Sequence, residues 1–207
     1  FANVVALMAD ARLKTHTVSL GWDLIRFDLR ELFFTAGYSW NKSDSNTTGP
    51  FALPANGDNL ETEWGPTTAR HTANAYFSMQ PVDNLGVDLR FSARSGAPYN
   101  ITTGRDDNLD GLFTDRPGGV LRNSARTAAH VDLSGGVSYR WRYGPATPGG
   151  DGEPVQRRLV ELSLSFENLL NRDNFIGYSG VMTSPFFLQP TDVLSTRRGT
   201  LRLRVEL

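Results

Sequence analysis

The feature that most constrains this chain is a hydrophobic period of two, repeated in segment after segment. In Lys14–Leu24 the apolar or aromatic set is His16, Val18, Leu20, Trp22 and Leu24, against Thr15, Thr17, Ser19, Gly21 and Asp23. Phe34–Asn41 sets Phe34, Ala36, Tyr38 and Trp40 against Thr35, Gly37, Ser39 and Asn41. The same alternation runs through Leu85–Arg94, Val131–Tyr143, Val160–Glu167 and Leu201–Leu207, and more weakly through Thr72–Met79. A period of two places one set on each face of a strand, because successive Cβ atoms point to opposite sides of a sheet. No segment sustains a 3.6-residue pattern. The chain therefore reads as all-β, with seven antiparallel strands and little helix.

The connections narrow the architecture. Those around Ile25–Asp28 and Pro81–Asn84 are short, and Gly144–Gln156 is a Pro/Gly-rich turn of moderate length. Between them lie three long ones, at about 42–68, 95–127 and 169–196. Strict alternation of short and long loops is expected of an up-and-down transmembrane barrel, with short turns on the periplasmic side and long loops outside. The longest apolar runs are a few residues, far short of the ~18–20 of a spanning helix. Barrel strands need only ~9–11 residues, half of them turned away from lipid, so a barrel stays open to a chain this polar. Tyr38, Trp40, Trp141 and Tyr143 close strand ends, where an interfacial girdle places rings that are apolar with one wet tip. A soluble β-sandwich shares the alternation, but it rarely carries loops of ~30 residues at every second connection.

Composition adds exclusions. A net charge of −1 over 207 residues provides no field that would recruit nucleic acid. Cysteine is absent, as suits an oxidising compartment. The chain starts at Phe1 without Met or signal peptide and ends on the strand-like run to Leu207, which points to a fragment lacking its N-terminal part.

Four segments resemble a known family. Ser95–Gly96–Ala97–Pro98–Tyr99 is similar to the S-G-x-P-Y segment ending a late barrel strand in large TonB-dependent receptors. These are receptors of the type that often carries an N-terminal carboxypeptidase-regulatory-like domain. Gly104–Gly111, followed by Thr114–Asp115–Arg116–Pro117, resembles the acidic loop that comes next. Arg122–Asn123–Ser124–Ala125–Arg126 resembles the lead into the following strand, and Phe166–Phe175 the penultimate strand with its N-L-x-N-x-x-N-F exit. The resemblance implies that residues 1–207 are the C-terminal part of a bacterial outer-membrane β-barrel of about 22 strands whose lumen a plug fills. The plug is absent from this chain. It also implies outer-membrane lipid as solvent, TonB as the energising partner through the missing part, and import of a scarce small-molecule, glycan or peptide ligand.

Asp106, Asn108 and Asp110, followed by Gly111, give a D-x-N-x-D-G run, and Asp115 stands close behind. Alternating oxygen ligands around a Gly turn can wrap Ca²⁺, the one cofactor this sequence admits. The twelfth position of an EF-hand would fall on Pro117, so the loop is not an EF-hand. The competing reading is an Asx-turn loop that satisfies its own backbone without metal. By parity Arg140, Arg142, Glu161, Glu167, Arg202 and Arg204 face the lumen, with Glu161 between basic neighbours on the adjacent strands. His16 and His71 fall on the lipid side and His130 on the lumen side, so the three do not converge. No nucleophile elbow, Walker loop or catalytic carboxylate pair appears, so an enzyme is not expected. A secreted β-rich calcium-binding adhesion module is the alternative to a transporter.

Overall fold

The computed structural model describes residues 9–26, 31–56, 59–147 and 156–206. The strands are β1 (Leu13–Arg26), β2 (Leu32–Ser45), β3 (Gly65–Pro66), β4 (His71–Val82), β5 (Leu85–Arg94), β6 (Pro98–Tyr99), β7 (Ala125–Arg126), β8 (His130–Thr147), β9 (Gln156–Glu167), β10 (Phe175–Tyr178), β11 (Pro190–Val193) and β12 (Arg198–Glu206). Seven long ones form one antiparallel sheet in sequence order, β1-β2-β4-β5-β8-β9-β12, with β3 added along β2. The protein is thus all-β and antiparallel, and β1 and β12 are the edges of the sheet. The expected turns around Ile25–Asp28 and Gly144–Gln156 lie partly outside the described residues, and Phe1 and Leu207 lie wholly outside them.

Register keeps the two sets apart across the whole width. Val18 lies opposite Trp40, which lies opposite His71; Leu20, Tyr38 and Ala73 form the next rank, and Trp22, Ala36, Ala75, Phe91 and Leu133 the one below. At the far side Leu162 faces Leu203 and Val160 faces Val205. The apolar ranks therefore form one continuous face, built mainly from Leu, Val, Ala and aromatic side chains.

None of the described residues covers that face. Among the described residues Ala55, at 9% exposure, is the most buried apolar side chain, while Leu20 is 52% and Leu203 65% exposed. The most buried side chains are polar: Ser43, Ser45, Asn46, Glu63, Asp115, Arg116, Arg122, Asn168 and Asn174. This inverts the usual arrangement, in which apolar side chains fill the interior and polar ones lie outside.

Strands run further than the alternation alone marks. β2 extends from the expected Asn41 to Ser45 because β1 stays paired with it up to Leu13↔Ser45 and β3 pairs with Asp44 and Ser45. The long loops also contain structure of their own, the pairs β6–β7 and β10–β11 and a 3₁₀ turn at Leu60–Glu63. Strands of two to four residues carry too few positions to show a period, which is why the sequence leaves them as loop. At the β4–β5 turn the register slips by one residue between Met79 and Val82. Pro81, which has no N–H to donate to a ladder, falls at this bulge. Asn84 closes the turn at φ +66°, a left-handed position that Asn tolerates.

Candidate functional site

Two regions carry the polar chemistry. One is the polar face of the sheet, and the other is the layer of long loops at the end of the sheet where β2, β5 and β9 finish.

On the polar face, hydroxyl and charge pairs bridge adjacent strands. Thr15 Oγ1 and Ser43 Oγ are 3.0 Å apart, and Ser19 and Ser39 hydroxyls 2.8 Å. Arg90 meets Asp88 at 3.1 Å and lies over the Tyr76 ring, 5.2 Å from its centroid. Glu161 stands opposite both Arg140 on β8 and Arg204 on β12, and Arg140 Nε donates to its Oε2 at 3.0 Å. Arg204 itself pairs with Glu206. Glu167 is gripped by Arg198 through both carboxylate oxygens, at 2.8 and 2.9 Å, a partner the sequence reading did not assign. Arg202 lies opposite Ser163, and Arg142 opposite Leu159 with its Nη1 3.5 Å from Asn84 Oδ1. All six charges singled out from the sequence share this face. A cleft of about 370 Å³ opens among Tyr76, Ser78, Gln80, Asp88, Arg140 and Arg142.

The loop layer is held by polar side chains that imitate backbone. Asn46 Oδ1 accepts from Arg12 N at 2.7 Å while its Nδ2 donates to Asp10 O, which continues the β1–β2 ladder past its end. Asn174 closes on Val131 in the same two-way manner, and Asn56 on the backbone of Arg116. A primary amide offers a donor and an acceptor side by side, as a peptide group does, so a buried Asn can terminate a strand without orphaned groups.

At the centre of this layer is a cluster that no sequence pattern announced. Arg116 forms two hydrogen bonds to the Glu63 carboxylate, and Glu63 Oε1 also accepts from the Ala55 and Asn56 amides. Arg122 Nε donates to the Glu63 carbonyl at 2.6 Å, and its Nη2 donates to the Ser45 carbonyl. Burial alone would raise the Glu63 pKa. The hydrogen bonds and charge of Arg116, with the two amides, outweigh it and hold the carboxyl below its ordinary value. For Arg122, burial lowers the pKa against the opposing pull of Glu63. Gly65 lets this happen, since a Cβ there would sit 2.2 Å from the Arg122 carbonyl oxygen. On the other side, Thr102 N donates to the Gly180 carbonyl and the Thr102 carbonyl accepts from Met182 N, which reaches across to the third loop, and the Tyr99 and Tyr178 rings stack at 5.6 Å. All three long loops are thereby tied into one layer.

The acidic loop closes on itself. Asp106 accepts from Asp110 N and Gly111 N, Asn108 Oδ1 from Asp110 N, and Asp110 Oδ1 from Leu112 N. Asp115 is buried and its Oδ2 accepts from Asp107 N at 2.7 Å. The four oxygen-bearing residues are thus brought together, and in this geometry they serve the loop's own amides. Among the described residues no group of three His, Asp or Glu is placed to hold a metal ion.

No family model, curated protein or solved structure matches the chain.

Proposed function

We propose that this chain is part of the wall of a bacterial outer-membrane β-barrel, with its apolar face in lipid, its polar face on the lumen and its long loops outside the cell. The observation that carries this reading is the uncovered apolar face. A soluble protein of this size buries its apolar side chains, and an open sheet with one apolar side would aggregate in water. In a bilayer the same face needs no cover.

The distribution of charge supports the reading. Along the apolar side of β2 the uncharged stretch runs from Leu32 to Trp40, about 26 Å at ~3.3 Å per residue. Tilted as barrel strands are, it projects to about 20 Å, close to the ~25 Å apolar band of such walls. Charged and titratable side chains on this side lie at its margins: Lys14, His16, Lys42, Asp44 and His71 at the long-loop end, Arg26 and Arg158 at the other.

Within that class, the order of the S-G-x-P-Y, acidic-loop, R-N-S-A-R and N-L-x-N-x-x-N-F segments favours a TonB-dependent receptor. The chain would then supply wall and outer loops to an importer, with plug and TonB contacts belonging to the rest of the protein. The lumen charges and the loop layer would guide a scarce ligand and would not transform it.

The chain has no cysteine, so single labels can be introduced cleanly. Nitroxides at Ser19, Leu20, Leu162 and Ser163 report the two faces. In lipid vesicles, Leu20 and Leu162 are expected to be relaxed by oxygen and Ser19 and Ser163 by a water-soluble nickel chelate. Equal access of the nickel chelate to all four would overturn the membrane reading.

A further inference from the structure

Above the apolar face, where β4 begins, lies a cavity of about 410 Å³ lined by Arg70, His71, Ser95, Gly96, Ser124 and Arg126, with Pro66 at its rim. Its floor, His71, belongs to the apolar face: register places it opposite Trp40, and Tyr38 Oη lies 2.7 Å from its Nδ1. Two guanidiniums share this small space. Arg126 keeps one hydrogen bond, from Nη1 to the Thr68 carbonyl at 3.2 Å. Among the described residues neither Arg70 nor Arg126 forms an ion pair. Burial and the charge of Arg70 both lower the Arg126 pKa, and Asp44 is the carboxylate that opposes them. Like charges held close together are costly, and an anion between them removes the cost. Lys42 adds a third cation on the same margin, opposite His16.

We propose that this cavity binds the phosphate of a lipid headgroup whose acyl chains lie along the apolar face below it. The proposal rests on the membrane reading above. Guanidinium is planar and presents paired N–H donors that match phosphate oxygens two at a time. Trp40 and Tyr38, immediately beneath, are amphipathic rings of the kind that sit at headgroup level. A free anion would draw only on the two arginines, whereas a lipid also draws on the apolar ranks that continue from the cavity floor.

The test uses the full chain and flotation with two kinds of vesicle, phosphatidylcholine alone and phosphatidylcholine mixed with phosphatidic acid. The chain is expected to bind both and to prefer the anionic vesicles. Each basic side chain near such a surface contributes about 1 kcal/mol, so Arg70→Gln with Arg126→Gln should reduce that preference about thirtyfold. Arg70→Lys with Arg126→Lys should retain most of it. In the unaltered chain, phosphatidic acid vesicles should protect Arg70 and Arg126 from an arginine-specific dicarbonyl reagent, and neutral vesicles should not. Undiminished preference in the Gln pair, or equal modification in both vesicles, overturns the proposal and leaves the membrane reading standing. Binding to neither vesicle overturns both. Saturation by inorganic phosphate with no vesicle present, at the same concentration, overturns the lipid as source of the anion.

Discussion

Arg116 holds Glu63 at two points, Nη1 to Oε2 at 2.6 Å and Nη2 to Oε1 at 2.9 Å, with both side chains only 4% exposed. The pair joins the first long loop to the second. Removing one partner leaves a buried charge uncompensated, at a cost of about 3–5 kcal/mol. Glu63→Ala should therefore loosen the loop layer by that order, read as faster hydrogen exchange at Ala55, Asn56 and Asp107. Replacing both partners by Met should recover most of the loss, since an apolar pair of similar volume is often neutral. Equal exchange in the unaltered and Glu63→Ala chains would show that the pair does not hold the layer.

The same carboxylate sets a pH dependence. Its pKa is held below the ordinary 4.5, so the unfolded loop binds a proton more readily than the folded one. The stabilisation is complete above that ordinary value and is lost as pH falls through the lower, folded one. Protease resistance of residues 46–70 should be constant from neutrality down to about pH 5 and fall on further acidification. In Glu63→Gln this acid-dependent fall should be much reduced.

Charge pairs on the polar face should behave differently. Arg140 and Glu161 are partly exposed, and such pairs contribute about 0–1 kcal/mol. Glu161→Gln should change stability by no more than this. Leu162→Arg, one residue away on the apolar face, should cost about 2–4 kcal/mol in a bilayer. A urea titration of both variants in vesicles would check the contrast, and similar small effects from the two would remove the face assignment.

Gly180 lies so close to the second loop that a Cβ would come within 1.7 Å of the Asn100 carbonyl oxygen. Gly180→Ala must push the two loops apart, breaking the bonds between Thr102 and residues 180 and 182. Overpacking of this kind costs about 1–3 kcal/mol. Increased exchange at Thr102 and Met182, with the sheet amides unchanged, is the expected result.

The acidic loop gives a prediction by its self-closure. Asp106→Ala strips acceptors from the Asp110 and Gly111 amides and should cost about 1–2 kcal/mol locally. Because those amides already occupy the carboxylate, proteolysis of residues 104–115 should be the same with calcium and with a chelator. Protection by calcium would restore the metal-loop reading.

Much of the fold was legible in the residues themselves. Which side chains share a face follows from pleating, a covalent property of extended backbone, so the sorting of Leu201, Leu203 and Val205 from Arg202 and Arg204 needed no partner strand. Strand order followed from the alternation of short and long connections, because antiparallel neighbours in sequence pair most simply. The position of Glu161 between Arg140 and Arg204 followed from the same parity. Tertiary structure alone decided the loop layer. Glu63 and Arg116 are 53 positions apart, Glu63 and Arg122 59, and Ser45 and Arg122 77, with no period linking them. The approach of Arg70 to Arg126 is of the same kind. Faces are set residue by residue along the backbone, whereas these contacts depend on where three irregular loops come to rest on one another.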